Sequence, residues 1–314
     1  YISNSTVVLD ISSKQAEIAL AFCNKYNSEF PELKNNIFSI TTSPIAYELT
    51  RKVYEALEIP LKNIFPSNLT SYDLIGDKKE ELIDKINKLN VDLIVGGPPY
   101  HKTDGGGRGD SGSAIYHYFF EISREINPKV IAMFLKANWY SGGKGIGLRE
   151  FRNSILRDRR VSLLQDYPDP SQYFDSQLNL RGGVCNIFWE RDYNDDCIVE
   201  NHINGKKTKL KRSLQTLSED ILIRYNQAIK ILVKIKNNDS FLIHKNVRPR
   251  NPFGIASNTN LIDEKSQTDS LKVYLTKGKI GYLKRDKLEG LKNIDLINKW
   301  KVIVAKASPG TDTL

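Results

Sequence analysis

The sequence predicts an α/β protein, a doubly wound and mostly parallel sheet of seven strands over residues 1–200, followed by a smaller basic unit over residues 201–314. Three observations lead there. Short apolar runs alternate with stretches of helical periodicity from Thr6 to Trp189. One of these runs, VDLIVGGPPY from Val91 to Tyr100, has a single polar residue in its first five positions and then breaks into a Gly-Gly-Pro-Pro-Tyr turn, the pattern of a strand covered on both faces. Finally, the net charge of +9 is unevenly spread: residues 201–314 hold 23 Lys and Arg against 10 Asp and Glu, while the first 200 residues hold 23 against 27.

Taken in order, Thr6–Asp10 reads as a short buried strand. Ser12–Tyr26 carries Ile18, Ala19, Phe22 and Tyr26 at helical spacing. Ile37–Ile40 is a second strand, and Ser43-Pro44 opens a helix through Leu57 with proline in its first turn. Ile59–Phe65 is a third strand, and the charged amphipathic stretch Lys78–Leu89 leads into Val91. Beyond the turn lies a glycine-rich loop, Asp104–Gly112. Ser113–Ile126 is then a helix ended by Asn127-Pro128. Lys129–Leu135, Val161–Asp166 and Gly183–Trp189 complete the strands. Between the first two lie a second glycine loop, Gly142–Gly147, and the helix Leu148–Leu156.

The polar, increasingly basic stretch Asn194–Arg212 marks the expected boundary between the two units. Leu214–Val233 then reads as a helix, Ser240–Gly254 and Leu271–Ile280 as irregular or strand-like, and Lys301–Lys306 as a last strand. The chain is expected to be part of a longer protein. No apolar run reaches transmembrane length and no signal pattern opens the chain, so a soluble, intracellular protein is expected. Cys23, Cys185 and Cys197 lack disulfide or zinc spacing, and His101 and His117 lack metal or triad spacing; no metal site is expected. The basic C-terminal third suits a polyanion, most simply nucleic acid, although solvated lysines would give the same count. Its bases are interleaved with aromatics around Arg248, Arg250, Tyr274, Lys277, Lys279 and Tyr282, a mixture suited to phosphate contact and base stacking.

The stretch VDLIVGGPPYHKTDGGGRGDSGSAIYHYFF, followed in the same order by KVIAMFLKANWYSGGKG, LREFRNSILRDRRVSLLQDYPDPSQYF and LRGGVCNIFWERD, resembles N6-adenine DNA methyltransferases of restriction-modification systems, in particular those in which methylase and nuclease share one chain. Their strand-end signature is Asn/Asp/Ser-Pro-Pro-Tyr/Phe/Trp after a glycine. Gly96, Pro98, Pro99 and Tyr100 match it, and Gly97 stands where the polar residue is usual. The resemblance implies a sheet of the class I S-adenosylmethionine-dependent methyltransferase type. It also implies S-adenosyl-L-methionine as cofactor, double-stranded DNA as partner, a bacterial cytoplasmic setting, and a nuclease region elsewhere in the longer chain or in a partner subunit. Tyr100 would stack on a flipped-out adenine, and the Pro98 carbonyl would accept one N6 hydrogen; glycine at 97 offers no side-chain acceptor for the other.

At the cofactor end the resemblance assigns Asp10 and Ser12 to the first motif, with Ala16 where a glycine is common. Thr41 or Thr42 falls near a missing ribose acid, and Asp73 matches the acid that contacts the cofactor's adenine. Gly105–Gly107 with Arg108 and Asp110 suits a lid over the base, and Arg108 and Lys144, in the two glycine loops, join the basic residues expected on DNA. The rival expectation is a methyltransferase-fold DNA-binding module or regulatory subunit whose chemistry has been impaired.

Overall fold

The computed structural model describes residues 2–101, 113–141, 147–173, 182–215 and 221–237, and, beyond these, residues 247–248, 252–255, 261, 270–274, 280–284, 287 and 292–300. It divides into two compact units, Tyr1–Asn238 and Asp239–Leu314.

The first unit is built on an eight-stranded sheet. Its strands are β1 (Val8–Ser13), β2 (Ile37–Thr41), β3 (Leu93–Gly96), β4 (Val130–Lys136), β5 (Val161–Tyr167), β6 (Val184–Glu190), β7 (Cys197–Ile203) and β8 (Lys206–Arg212), in the spatial order β2-β1-β3-β4-β6-β5-β7-β8. Only β6 and β8 run against the rest, so the sheet is mostly parallel as expected. Among the described residues, the helices between the strands are α1 (Glu17–Tyr26), α2 (Pro44–Leu57), α3 (Lys79–Asn87), α4 (Tyr116–Ile126) and α5 (Leu148–Arg157). The chain winds one way from β1 to β2 and the other way from β3 through β4 to β5. Right-handed crossovers therefore put α1 and α2 on one face and α3 to α5 on the other. The buried clusters agree: Val8, Ile37 and Val95 pack with Ala19 and Tyr54, whereas Leu9, Ile94 and Ile131 pack with Leu82, Phe119 and Ile155. Each such aliphatic side chain contributes roughly 1.5–3 kcal/mol by leaving water.

Local chemistry sets the helix ends. The Ser43 hydroxyl accepts from the Ala46 amide at 3.1 Å and Pro44 occupies the first turn, so α2 begins at the edge of β2. Its buried face is Ala46, Thr50 and Tyr54, spaced by four, and the Tyr54 phenol meets the Ser39 hydroxyl at 2.8 Å across the sheet. Helix α4 ends at Asn127, left-handed at φ 58°, ahead of Pro128.

Several sequence expectations are corrected. The third strand, Ile59–Phe65, is a 3-10 turn at Leu61–Asn63 with one parallel bridge from Ile64 to Ser39. Pro60 and Pro66 bracket the segment and donate no hydrogen bonds, and the Asn63 amide donates to the Ile37 carbonyl at 3.1 Å. The polar stretch Asn194–Arg212 is not a boundary but the hairpin β7–β8, so the expected division at 200/201 falls inside β7. Its turn is Asn204-Gly205, both residues at positive φ, the combination a two-residue hairpin needs. Lysines 206, 207, 209 and 211 are exposed along this edge strand, where charge discourages pairing with another chain. The helix expected over Leu214–Val233 is α6, Asn226–Asn237. The preceding segment is held straight by Arg224, which donates to Asp166 at 2.8 to 3.1 Å and to the Gly182 carbonyl at 2.9 Å, and lies over the Tyr140 ring. Arg212 and Asn226 tie the same segment to β7 and β8. Trp139 and Trp189 are core residues.

Within the second unit, β9 (Ser270–Tyr274) and β10 (Ile280–Lys284) form an antiparallel hairpin. Gly281 lies against Leu261, and the Lys292 amide donates to Phe253. Lys301–Lys306 lies outside the described residues. Among the described residues no helix is long and apolar enough to cross a membrane.

The Asp166–Arg224 pair makes a testable anchor. Asp166 is 1% exposed, and its loss would leave a half-buried guanidinium without its partner. Asp166→Ala is expected to destabilise the first unit by about 3 kcal/mol in urea denaturation and to expose residues 221–225 to limited proteolysis.

Candidate functional site

Because the chain leaves β1 for β2 on one side and returns as β3 on the other, the carboxyl ends of β1 and β3 form the topological switch point where an open α/β sheet takes its ligands. Asp10 pairs with Val95 in register, so the next residue, Gly96, faces the end of β1. A Cβ on Gly96 would stand 3.1 Å from Ile11 Cγ2, 3.1 Å from Ser12 Oγ and 3.5 Å from Asp10 Oδ1, at φ 154°. Only glycine fits there. Gly97 is the reverse case: it is exposed, has no positive φ, and a Cβ would meet nothing within 4 Å.

Pro98 is buried, and Pro99 and Tyr100 are half-buried. The Tyr100 ring meets Tyr116 edge-on at 6.3 Å, and the Tyr116 phenol donates to Asn138 Oδ1 at the end of β4. Burial pushes the Tyr100 phenol up to about 12, so the ring is neutral in ordinary buffers. The chain then turns back: His101 bridges Ala114, and the Ile115 amide donates to the Tyr100 carbonyl at 3.2 Å. The turn is thereby fixed on both sides of the loop 102–112.

The end of β1 is polar and dry. Asp10 is 1% exposed; its Oδ1 accepts from the Ser12 amide at 3.1 Å, while its Oδ2 and the hydroxyl oxygens of Ser12 and Thr41 have no hydrogen-bond partner among the described residues. Desolvation raises the Asp10 carboxyl to about 7, against the smaller opposing effect of the Ser12 amide. Ala16 caps α1 in the left-handed conformation, φ 56° and ψ 33°, where glycine would be at ease. Its amide donates to Ser13 Oγ, and the Gln15 amide donates to Glu17 Oε2 at 3.1 Å. Asp73 is committed to its own turn, its Oδ2 accepting from the Thr70 amide at 2.7 Å and the Thr70 hydroxyl at 3.0 Å.

A cleft of about 500 Å³ opens at this mouth, lined by Lys14, Thr42, Ser43, Tyr72, Pro99, Tyr100 and His101. The structure thus brings together Asp10, Ser12, Ala16 and Thr41 at the ends of β1 and β2 with Gly96 to Tyr100 at the end of β3. Asp73 sits one residue from the lining Tyr72. Sequence reading missed Lys14, Ser43 and Tyr72 as lining residues, although each lies within two positions of a residue it singled out. Arg108, Lys144, Arg250, Lys277 and Lys279 lie outside the described residues, and Arg248 belongs to the second unit. The residues present do not fit S-adenosylmethionine, which carries a sulfonium and an ammonium against one carboxylate. Among the described residues no carboxylate lines the cleft, the end of β2 offers Thr41 in place of an acid, and the Lys14 ammonium stands in the first βα turn.

Two consequences can be measured. Gly96→Ala is expected to cost about 1–3 kcal/mol of stability through the clash with Ile11 and Ser12, whereas Gly97→Ala leaves the urea midpoint within experimental error. For Asp10 the folded state holds its proton to about pH 7 and the unfolded chain releases it near 4. The folded state therefore binds more protons between those values, and stability falls as pH rises through that window, by a few kcal/mol at most. Asp10→Asn should remove this fall in denaturation profiles from pH 4 to 8.

A family model described as Eco57I restriction-modification methylase matches residues 35–174, from the approach to β2 through the turn after β5. An uncharacterized adenine-specific methylase of Mycoplasma pneumoniae is 25% identical over 144 residues, 45% of this chain and 34% of that protein, so the match spans about a third of the relative. Among solved structures, the type I restriction-modification system methyltransferase subunit from Streptococcus thermophilus is similar at 14% identity and a TM-score of 0.45, over 76% of this chain and 50% of that one. A nuclease-deletion mutant of the Type ISP restriction-modification enzyme LlaGI, solved with a DNA substrate mimic, is similar at 10% identity and a TM-score of 0.47, over 87% and 31%. The segment that carries the Gly-Gly-Pro-Pro-Tyr turn lies inside the residues 35–174 that match the Eco57I restriction-modification methylase model.

Proposed function

We propose that this chain is the adenine-directed module of a site-specific N6-adenine DNA methyltransferase from a restriction-modification system, acting on double-stranded DNA. The observation that carries the reading is the Pro98-Pro99-Tyr100 turn fixed at the switch point of the sheet, in the segment that matches the methylase family. S-adenosylmethionine is the methyl source that the resemblance implies.

On the base side the chemistry follows from the residues. The exocyclic nitrogen of adenine is a weak nucleophile because its lone pair is delocalised into the ring, and the duplex hides it. A flipped base needs an aromatic ring to stack on and acceptors for its N6 hydrogens. Tyr100, neutral and braced edge-on by Tyr116, supplies the ring, and the Pro98 carbonyl supplies one acceptor. Gly97 supplies none, and one absent oriented group costs roughly 10²- to 10³-fold in rate, by analogy with an oxyanion-hole donor.

A second reading is favoured by the cofactor end, where Lys14 lines the cleft, Ala16 is left-handed and Thr41 replaces an acid. In that reading the module flips and holds adenine, and transfer is lost. One pair of measurements separates the two. Gly97 has room for a side chain, so Gly97→Asn is expected to fold and to raise methyl transfer to adenine-containing duplexes about 10²-fold if the cofactor end works. The fluorescence rise of a 2-aminopurine duplex on binding should occur in both proteins and be lost in Tyr100→Ala. No transfer from either protein, with the fluorescence rise intact, leaves the second reading. No fluorescence rise at all removes both.

A further inference from the structure

We propose that the cleft at the ends of β1 and β2 binds an adenine nucleotide bearing a 5′-phosphate in preference to S-adenosylmethionine, with Lys14 as the residue that discriminates between them. The inference rests on reading this mouth as the nucleotide site of the fold and does not require that the chain transfer methyl groups.

The geometry supports it in three steps. First, Lys14 occupies the first βα turn, which in dinucleotide-binding α/β folds is the place where phosphate is taken. The register Ser13 to Thr41 and the bond from the Thr42 amide to the Ser13 carbonyl at 3.0 Å set Lys14 beside Thr42 and Ser43, and all three line the cleft. Ser43 Oγ already accepts from the Ala46 amide, which leaves its proton for a ligand oxygen. A volume of about 500 Å³ is ample for a mononucleotide.

Second, the charges of this wall are of one kind. Its described lining side chains include an ammonium, two aliphatic hydroxyls, two phenols and an imidazole, and no carboxylate. Asp10, the acid at the switch point, is 1% exposed with Oδ2 unpartnered, and its burial favours the protonated form up to about pH 7. A cationic sulfonium ligand finds no carboxylate among the described lining residues, and the exposed Glu17 is engaged by the Lys14 and Gln15 amides, whereas a phosphate dianion finds the Lys14 ammonium. Lysine is a common phosphate partner even without a fixed geometry.

Third, the backbone of the same turn already holds an anion. The Lys14 and Gln15 amides both point to Glu17 Oε2, at 3.4 and 3.1 Å. Successive amides of this kind form a concave anion site. Glu17 fills it in the free protein, so a phosphate arriving beside Lys14 competes with that carboxylate.

Isothermal titration of the 314-residue chain with adenosine 5′-monophosphate, adenosine and S-adenosylmethionine tests this. The monophosphate should bind at least tenfold more tightly than S-adenosylmethionine. Lys14→Gln should abolish that preference through loss of the monophosphate alone, with adenosine unchanged, and Glu17→Gln should strengthen the monophosphate. Equal or tighter binding of S-adenosylmethionine by the unaltered chain overturns the proposal, as does a preference that survives Lys14→Gln. Binding of none of the three shows that the cleft is not a nucleotide site and overturns it too. The 2-aminopurine signal of Tyr100 reports separately on the DNA reading, so the two can fail independently.

Discussion

The site exists because the ends of β1 and β3 meet where residue 96 has no side chain. Ile11 Cγ2 and Ser12 Oγ fill the space a Cβ would need, and Asp10 lies just behind them. That contact sets the depth at which the chain leaves β3, and the two prolines and Tyr100 follow from it. Tyr116 and Asn138 then hold the tyrosine ring from the side of β4. Neither β1 nor β3 can shift without moving the other, because each is paired in register and buried on both faces. At this junction burial outweighs the Ser12 amide and the Lys14 charge, so the Asp10 carboxyl, with one oxygen unpartnered among the described residues, keeps its proton to about pH 7.

Charge is arranged for different ends in different parts of the first unit. Asp158, 7% exposed, accepts from Arg160 and the Trp189 indole and lies 3.5 Å from Arg124, which joins α4, β5 and β6 at the end of the sheet away from the cleft. At the cleft end, Asp166 and Arg224 hold the chain beyond β8 against β5. The lysines of β8 line an edge strand, and two of them pair with Asp195 and Glu200. Much of the basic excess just after residue 200 is thus structural, which lowers the weight that a simple charge count gives to nucleic-acid contact in that stretch.

What the sequence showed and what it hid have physical causes. The parallel strands, the helices between them and the Gly-Gly-Pro-Pro-Tyr turn were legible because buried strands and amphipathic helices write their periods directly into the chain. The strand at 59–65 was misread because its apolar residues fill a corner of the core while Asn63 takes the carbonyl a neighbouring strand would use. The hairpin at 197–212 carried a clear Asn-Gly signal that the lysines obscured. The start of α6 depended on Arg224 finding Asp166, 58 positions earlier, and no local pattern encodes such a pairing. At the site, the departures at Ala16, Thr41 and Gly97 were visible as residue types. Their meaning needed coordinates: Ala16 is left-handed, Thr41 is buried, and Gly97 opens on empty space.

Those departures are not scattered. Ala16 lies in the first βα turn beside Lys14, Thr41 ends β2, and Gly97 begins the turn after β3, so all three stand where the carboxyl ends of three adjacent strands converge. The residues that build this mouth, by contrast, remain in place: Gly96, without which the strands cannot close, and Pro98 to Tyr100, which aim the ring. Folding constrains Gly96 and the buried strands directly. It does not constrain Gly97 or Lys14, both exposed, and at Ala16 it accepts a strain of about 1–2 kcal/mol. The positions that depart from the signature are thus ones that folding leaves open or tolerates, and those that match it are ones that folding constrains.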